Sequence, residues 1–349
     1  MPHKPIRAGV LGLGRSGWDI HVLALRNDPR FKIVGVTDGV ASRCRQAESE
    51  LHCPAFKRAA DLLESVKMDL VVNALPTQDH ASLSTDALRA GMHVVVEKPV
   101  AGDAAEARRM LKTARSTRKK LFPHHNYRYH PIIRHLAEIV DSGILGELFE
   151  IKFSLAQFAR RNDWQTLRRN QGGLMNNHGT HHIDWVMQLM RSPIQDVFSD
   201  LKLISDSGNT EDHVRIILRA QNGCLADFHL STATAAELPI YMLLGTCGTL
   251  VSDGGTSTIR YFDPKKVKEL PVVTGPPELR TYGNDDRMPW REKKVKSVSR
   301  DKSTFYDNVY DVLRRRKAMA VTMESVIEVL KVLDRARAPV KKLRPKYGK

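Results

Sequence analysis

Two short stretches constrain this chain more than anything else in it. In Val10-Leu11-Gly12-Leu13-Gly14-Arg15-Ser16-Gly17 an apolar run breaks into glycines at G-x-G-x-x-G spacing. Further along, Val94-Val95-Val96 runs directly into Glu97-Lys98-Pro99, an acid, an amine and a ring that cannot continue a strand. A β-branched run without polar alternation reads as a strand buried on both faces, and parallel sheets covered by helices bury strands that way. Both stretches therefore predict a parallel sheet in an α/β fold.

The first 125 residues repeat the pattern. Strands are predicted at Ile6–Leu11, Phe31–Thr37, Leu70–Ala74, His93–Val96 and Leu121–His124, with helices at 16–27, 42–51, 59–66, 80–90 and 104–116 between them. Such alternation predicts a doubly wound α/β domain over residues 1–125, with right-handed crossovers. With 349 residues the chain is too long for one ordinary core, so a second domain is expected over 126–338, followed by a basic tail at 339–349. After a helix at 131–142, strands dominate: 147–158, 195–204, 213–219, 224–232, 239–244, 249–252 and 257–262. Asn222-Gly223 marks a hairpin, and one helix at 178–190 interrupts the strands. The second domain is thus expected to be α+β, an open and mostly antiparallel sheet covered by helices on one face. Residues 263–302 read as a long loop and 305–316 and 323–336 as closing helices.

Charge and cysteine content narrow the class. The net charge is +16, but residues 291–349 hold 18 Lys/Arg against 7 Asp/Glu, a net of +11, which leaves +5 for the rest. A run such as Arg314-Arg315-Arg316-Lys317 is ordinarily a solvated surface, with an acidic partner as the other reading. No zinc-finger, RNP or basic-zipper pattern accompanies it, so nucleic acid is not an expected partner. No apolar run is long enough to span a bilayer, and no signal peptide is evident. Cys44, Cys53, Cys224 and Cys247 are scattered without CxxC spacing, which fits reduced thiols and a cytoplasmic protein.

Gly12, Gly14 and Gly17 have the spacing that lets a turn tighten, a backbone approach a pyrophosphate, and a helix pack on its strand. The phosphates would face Arg15, Ser16 and the helix amides. Asp38, at the end of the second strand, can take both hydroxyls of a ribose, which favours NAD. Arg43 and Arg45 lie just beyond and keep NADP open; a carboxylate repels the extra phosphate, so NAD is the expected cofactor.

Together with Ala74-Leu75-Pro76-Thr77-Gln78-Asp79-His80, Ala90 to Pro99, Asn126 to Pro131 and Gly172 to Asp184, these residues resemble the Gfo/Idh/MocA oxidoreductase family over nearly the whole chain. That family includes glucose–fructose oxidoreductase and inositol dehydrogenase. The resemblance implies a Rossmann domain followed by an open-sheet domain, and cofactor contacts at Ala74, Leu75, Pro76, Thr77, His80, Glu97 and Lys98. It implies pairing into a homodimer or homotetramer through the exposed sheet face, expected to carry Ile216, Leu218, Leu225 and Phe228. Family dehydrogenases use the EKP lysine with a D-x-x-x-H pair. Lys98 and His181 fit those positions, while Asn177 stands where the acid belongs.

The chemistry follows from the residues as well. Oxidising a secondary alcohol needs a hydride acceptor and a group that removes the hydroxyl proton, usually a histidine. His181, early in a helix, is held neutral by the dipole, and Lys98 can stabilise a developing alkoxide. Arg128, Trp164 and Asn177 complete the expected substrate contacts, Trp164 offering a flat face to a sugar ring. His178, His181, His182 and Asp184 have metal-compatible spacing, but without Cys partners no metal is expected. The expected activity is NAD(P)-dependent oxidation of a sugar, sugar acid or polyol. The alternatives are a glycosidase or epimerase that oxidises transiently, and a silent dinucleotide or sugar sensor.

Overall fold

In a computed structural model the protein is described at residues 4–272, 274–276, 286–299, 301, 303–339 and 343. The basic tail expected at 339–349 lies largely outside these. Among the described residues no helix is long and apolar enough to cross a membrane.

The first sheet holds β1 (Ile6–Leu11), β2 (Phe31–Thr37), β3 (Ala55–Phe56), β4 (Leu70–Asn73), β5 (His93–Val96) and β6 (Leu121–Pro123), all parallel, in the order β3-β2-β1-β4-β5-β6. Its connecting helices are α1 (Leu23–Arg26), α2 (Ala41–Leu51), α3 (Ala59–Ser65), α4 (His80–Arg89) and α5 (Ala104–Ser116). The expected single helix over 16–27 begins as a π-helical turn, Ser16–Val22, and only then becomes α1. Both sheet faces are dry: Val10, Val36, Val72 and Val95 pack on one side, Val71, Val94 and Val96 on the other. Burying each such side chain stabilises the fold by about 1.5–3 kcal/mol. Register does the functional work. Leu11 pairs with Thr37 and with Asn73, and Asn73 with Val96, so four parallel strands end abreast. Gly12, Asp38, Ala74 and Lys98, far apart in sequence, are thereby brought to one edge.

The second sheet runs β14-β13-β12-β11-β7-β10-β9-β8. Its strands are β7 (Leu148–Ala156), β8 (Ile194–Lys202), β9 (His213–Ala220), β10 (Leu225–Ser231), β11 (Tyr241–Gly245), β12 (Gly248–Ser252), β13 (Thr256–Tyr261) and β14 (Arg291–Lys296). Among the described strands of this sheet only β7 and β10 pair in parallel. β14 corrects the expected loop over 263–302: Arg-Glu-Lys-Lys-Val-Lys lacks an apolar stripe, yet it pairs with β13 as an exposed edge strand, where charge is favoured. Helices α6 (Pro131–Asp141) and α7 (Thr180–Met190) cover the inner face. Phe153 there meets Trp185, Phe228 and Tyr241.

Two further expectations need correction. Ile216, Leu218 and Phe228 are fully buried within the chain, on the helix-covered face, so they are not free to meet a partner. Side chains alternate along a strand, and the outer face carries Phe198, Ile217, Leu225, Met242 and Val251 among charged neighbours. The second correction concerns α8 (Phe305–Arg315), which returns to the first sheet: Phe305, Tyr306, Val309 and Tyr310 join the core with Ile6, Val10, Leu25 and Phe31. The final helix, α9 (Met323–Arg337), packs against α5, α7 and β8 and so bridges both halves.

Candidate active site

A cleft of about 910 Å³ opens along the carboxyl edge of the first sheet, and the entry to α7 forms its far wall. The three fingerprint glycines have distinct reasons to be there. Gly12 has φ +88°, and a Cβ on it would sit 2.8 Å from the Ala74 carbonyl oxygen. A Cβ on Gly17 would overlap the Gly12 carbonyl at 1.8 Å, whereas one on Gly14 would meet nothing within 4 Å. The open space over Gly14 is the room a pyrophosphate needs, and Arg15 and Ser16 line the cleft beside it. Asp38 is buried and accepts from the amides of Leu13 and Val40, both at 2.8 Å, so its carboxylate is pre-oriented at the far end of the cleft. Arg43 lies 3.3 Å from it. These features fit a dinucleotide.

Ala74, Leu75, Pro76 and Thr77 line the middle of the cleft. His80 is buried between the carbonyls of Pro99 (2.7 Å) and Leu75 (2.8 Å) and pins that turn to the one after Lys98. Glu97 and Lys98 follow β5 directly. The Lys98 ammonium donates to the Asn177 carbonyl oxygen at 2.6 Å, and the Lys98 amide donates to Glu97 Oε2 at 2.9 Å. Burial lowers the lysine's pKa, Glu97 counters this, and Arg15 adds to the lowering.

Asn177 and His178 stand in a second π-helical turn, Met175–Gly179, which runs into α7 and its His181. His181 lines the cleft and stacks on Tyr127, ring centroids 4.1 Å apart. Burial, then the Lys98 ammonium, holds its pKa well below the usual imidazole range. His178 is pushed down to about 4 by burial, with Lys98, Arg161 and Arg15 contributing. Both rings are therefore neutral near neutral pH and can accept a proton. Trp164 stands half-exposed at the mouth, held by Asp163, which caps its turn by accepting from Gln165 N at 2.9 Å. A Cβ on Gly172 would lie 2.0 Å from the Gln165 carbonyl, so the glycine lets this wall close on itself.

Arg128 does not reach the cleft. Its guanidinium grips Asp184 through two hydrogen bonds, Nε at 2.8 Å and Nη2 at 2.6 Å, and also meets Ser325. Burial would raise the Asp184 carboxyl, but His125, 3.2 Å away, and Arg128 bring it down to about 2. Arg128 was expected at the substrate, but it is its neighbour Tyr127 that lines the cleft; the turn Asn126–Tyr129 sends adjacent side chains in different directions. The metal-like spacing in α7 also disperses: His182 accepts from Trp185 Nε1 at 3.1 Å and stacks on Phe153, while Asp184 faces Arg128. Sequence reasoning missed His21, His124 and Tyr306, which meet behind Glu97. A histidine on the buried side of the fingerprint helix was the available signal.

Comparison with known proteins places this geometry. Residues 6–125 match the family model described as oxidoreductase family, NAD-binding Rossmann fold, and residues 133–251 match the GFO/IDH/MocA C-terminal domain. The chain is 26% identical over 364 residues to the uncharacterized oxidoreductase C115.03 of Schizosaccharomyces pombe, covering 95% of this chain and 96% of that one. It is 26% identical over 226 residues to the myo-inositol 2-dehydrogenase of Thermotoga maritima, covering 63% and 66% respectively. The WlbA dehydrogenase of Bordetella pertussis, solved with NADH and UDP-GlcNAcA, shares the fold at TM-score 0.76 and 20% identity, over 98% of this chain and 99% of that one.

Proposed function

Because the chain belongs to the Gfo/Idh/MocA oxidoreductase family, we propose that it oxidises a secondary alcohol of a sugar, sugar acid or polyol with Lys98 and His181 at the reacting carbon. The observation that carries this reading is the convergence of those two side chains, one from the edge of the first sheet and one from the helix over the second, on one cleft beside a dinucleotide cradle. The myo-inositol dehydrogenase among the relatives acts on a cyclic polyol by its name, and the neighbour solved with NADH holds a sugar nucleotide.

A nicotinamide bound in the cradle supplies the carbon that accepts hydride. Gly12, Gly14, Arg15, Ser16 and Gly17 would hold the pyrophosphate, Asp38 the adenosine ribose, and Ala74 to Thr77, His80, Glu97 and Lys98 the nicotinamide half. Asp38 favours NAD, since a 2′-phosphate would meet its carboxylate; Arg43 is the group that would tolerate NADP. His181, neutral and out of bulk water, takes the hydroxyl proton. Lys98 spends one of its three N–H donors on the Asn177 carbonyl and keeps two for the substrate oxygen as charge develops on it. The Asn177 amide holds a neighbouring hydroxyl, and Trp164 covers one face of the ring. The outer face of the second sheet pairs with a second copy. The four cysteines are free, in keeping with a reducing cytoplasm.

Screening sugars, sugar acids and cyclitols while following reduced-nicotinamide absorbance tests the assignment. Failure of all three classes to reduce NAD or NADP defeats it. Asn177 in place of an acid favours one other reading, transient oxidation by a glycosidase or epimerase; substrate consumption without net absorbance change is its signature.

A further inference from the structure

The Glu97 side chain, in the wall of the cleft, is tied into a dry cluster behind it. Its Oε1 accepts from His21 Nε2 at 3.0 Å and His124 Nδ1 at 2.9 Å, and its Oε2 accepts from the Lys98 amide. His21 Nδ1 lies 2.7 Å from the Tyr306 hydroxyl, which α8 delivers from the far end of the chain. All four side chains are buried. The proton inventory follows from these contacts. An ionised carboxylate only accepts, so His21 Nε2 and His124 Nδ1 each carry a proton. A neutral His21 then has a lone pair at Nδ1, and the Tyr306 O–H must donate to it. Each of these contacts is satisfied with Glu97 as the anion.

We propose that Tyr306 is a positioning residue for Lys98: by donating to Nδ1 of the His21 ring whose Nε2–H donates to Glu97, it keeps a carboxylate beneath Lys98 and so keeps that lysine an ammonium. Burial pushes the Tyr306 phenol well above its usual range, and Glu97 adds to this, so it remains a donor. Burial would raise Glu97, yet His124 and His21 hold it well below the carboxylate range. The charged and titratable groups that face Lys98 are Glu97, Arg15 from the fingerprint turn, and His178, His181 and His182 from the helix opposite; His80 also faces Glu97. Among these only Glu97 favours the charged lysine. The inference rests on the reading of Lys98 given above, and its test needs no substrate.

Tyr306→Phe removes one oxygen and strands His21 Nδ1 in a dry site. His21 Nδ1 then has no donor, its Nε2–H becomes a weaker donor to Glu97, the carboxylate protonates more readily, and Lys98 loses its counter-charge. Competitive acetylation with acetic anhydride over a pH series, read peptide by peptide, reports the titration of each lysine in the whole protein. The midpoint for Lys98 should fall by about one pH unit, a roughly tenfold gain in free amine near neutrality, while exposed Lys32 stays unchanged. His124→Ala should lower Lys98 in the same direction, and His124→Gln, which still offers Glu97 an N–H, should restore it. An unmoved Lys98 midpoint in folded Tyr306→Phe, or in folded His124→Ala should the first variant not fold, overturns the proposal. So does stoichiometric metal in the purified wild-type protein, which would make His21, Glu97 and His124 ligands. A shifted midpoint in a protein that oxidises no alcohol would leave this inference standing and defeat the proposed function instead.

Discussion

The ammonium of Lys98 and the backbone carbonyl of Asn177, 2.6 Å apart, join the edge of one sheet to the helix that covers the other. The contact uses main chain, so the identity of residue 177 does not enter it. Replacing Lys98 with alanine should cost turnover roughly 10²–10⁴-fold and lower NADH affinity far less. Steady-state kinetics beside NADH fluorescence titration separate the two; an alanine variant that keeps its rate refutes the assigned role.

The pH dependence of turnover has a defined sign. His181 must be neutral to take a proton, and its surroundings lower its pKa well below the ordinary 6.5. Activity should hold as pH falls through 6.5 and decline only further into the acid range. An acid limb of kcat centred at or above 6.5 would show that another base acts.

Cofactor choice should follow Asp38. In Asp38→Ala the repulsion of a 2′-phosphate is lost while Arg43 remains, so KM for NAD should rise roughly tenfold and KM for NADP should fall, one well-made hydrogen bond to a charged group being at stake. Measuring both constants in wild type and variant decides it.

Arg128 should matter to stability and not to cofactor binding. Removing it leaves Asp184, a fully buried carboxylate, with only His125 beside it. Arg128→Met should cost about 3–5 kcal/mol in urea denaturation and leave NADH affinity intact. The pair's stabilising contribution is complete above the ordinary carboxyl value of 3.8 and is lost as pH falls toward about 2.

Phe198 is 63% exposed on the outer sheet face, next to Ile217. If a second copy covers that face, Phe198→Asp should convert a dimer or tetramer to smaller species by sedimentation velocity. A wild-type monomer would remove the pairing from the proposal.

The placement of the strand-end residues along the cleft was legible because its signals are local. The glycines, Asp38 and the EKP turn each sit where a strand stops, and parallel strands in register must stop together. His181 was legible through the resemblance and its helical position. The sheet faces were misread: Leu225 and Phe228, three residues apart in β10, lie on opposite faces, and nothing in one strand says which face the helices will cover. Arg128 was misplaced for a similar reason, since one residue of rotation in a turn redirects a side chain from cleft to core.

By itself the sequence determined the two-sheet α/β organisation, the glycine turn after the first strand and the lysine at the sheet edge, because each depends on covalent neighbours and on strand and helix period. Tertiary structure alone decided that Lys98 meets the Asn177 carbonyl, that Arg128 is spent on Asp184, and that Tyr306 reaches His21 across 285 residues. Those contacts depend on how helices dock, and docking is set by packing summed over whole faces, a quantity that no local run of residues encodes.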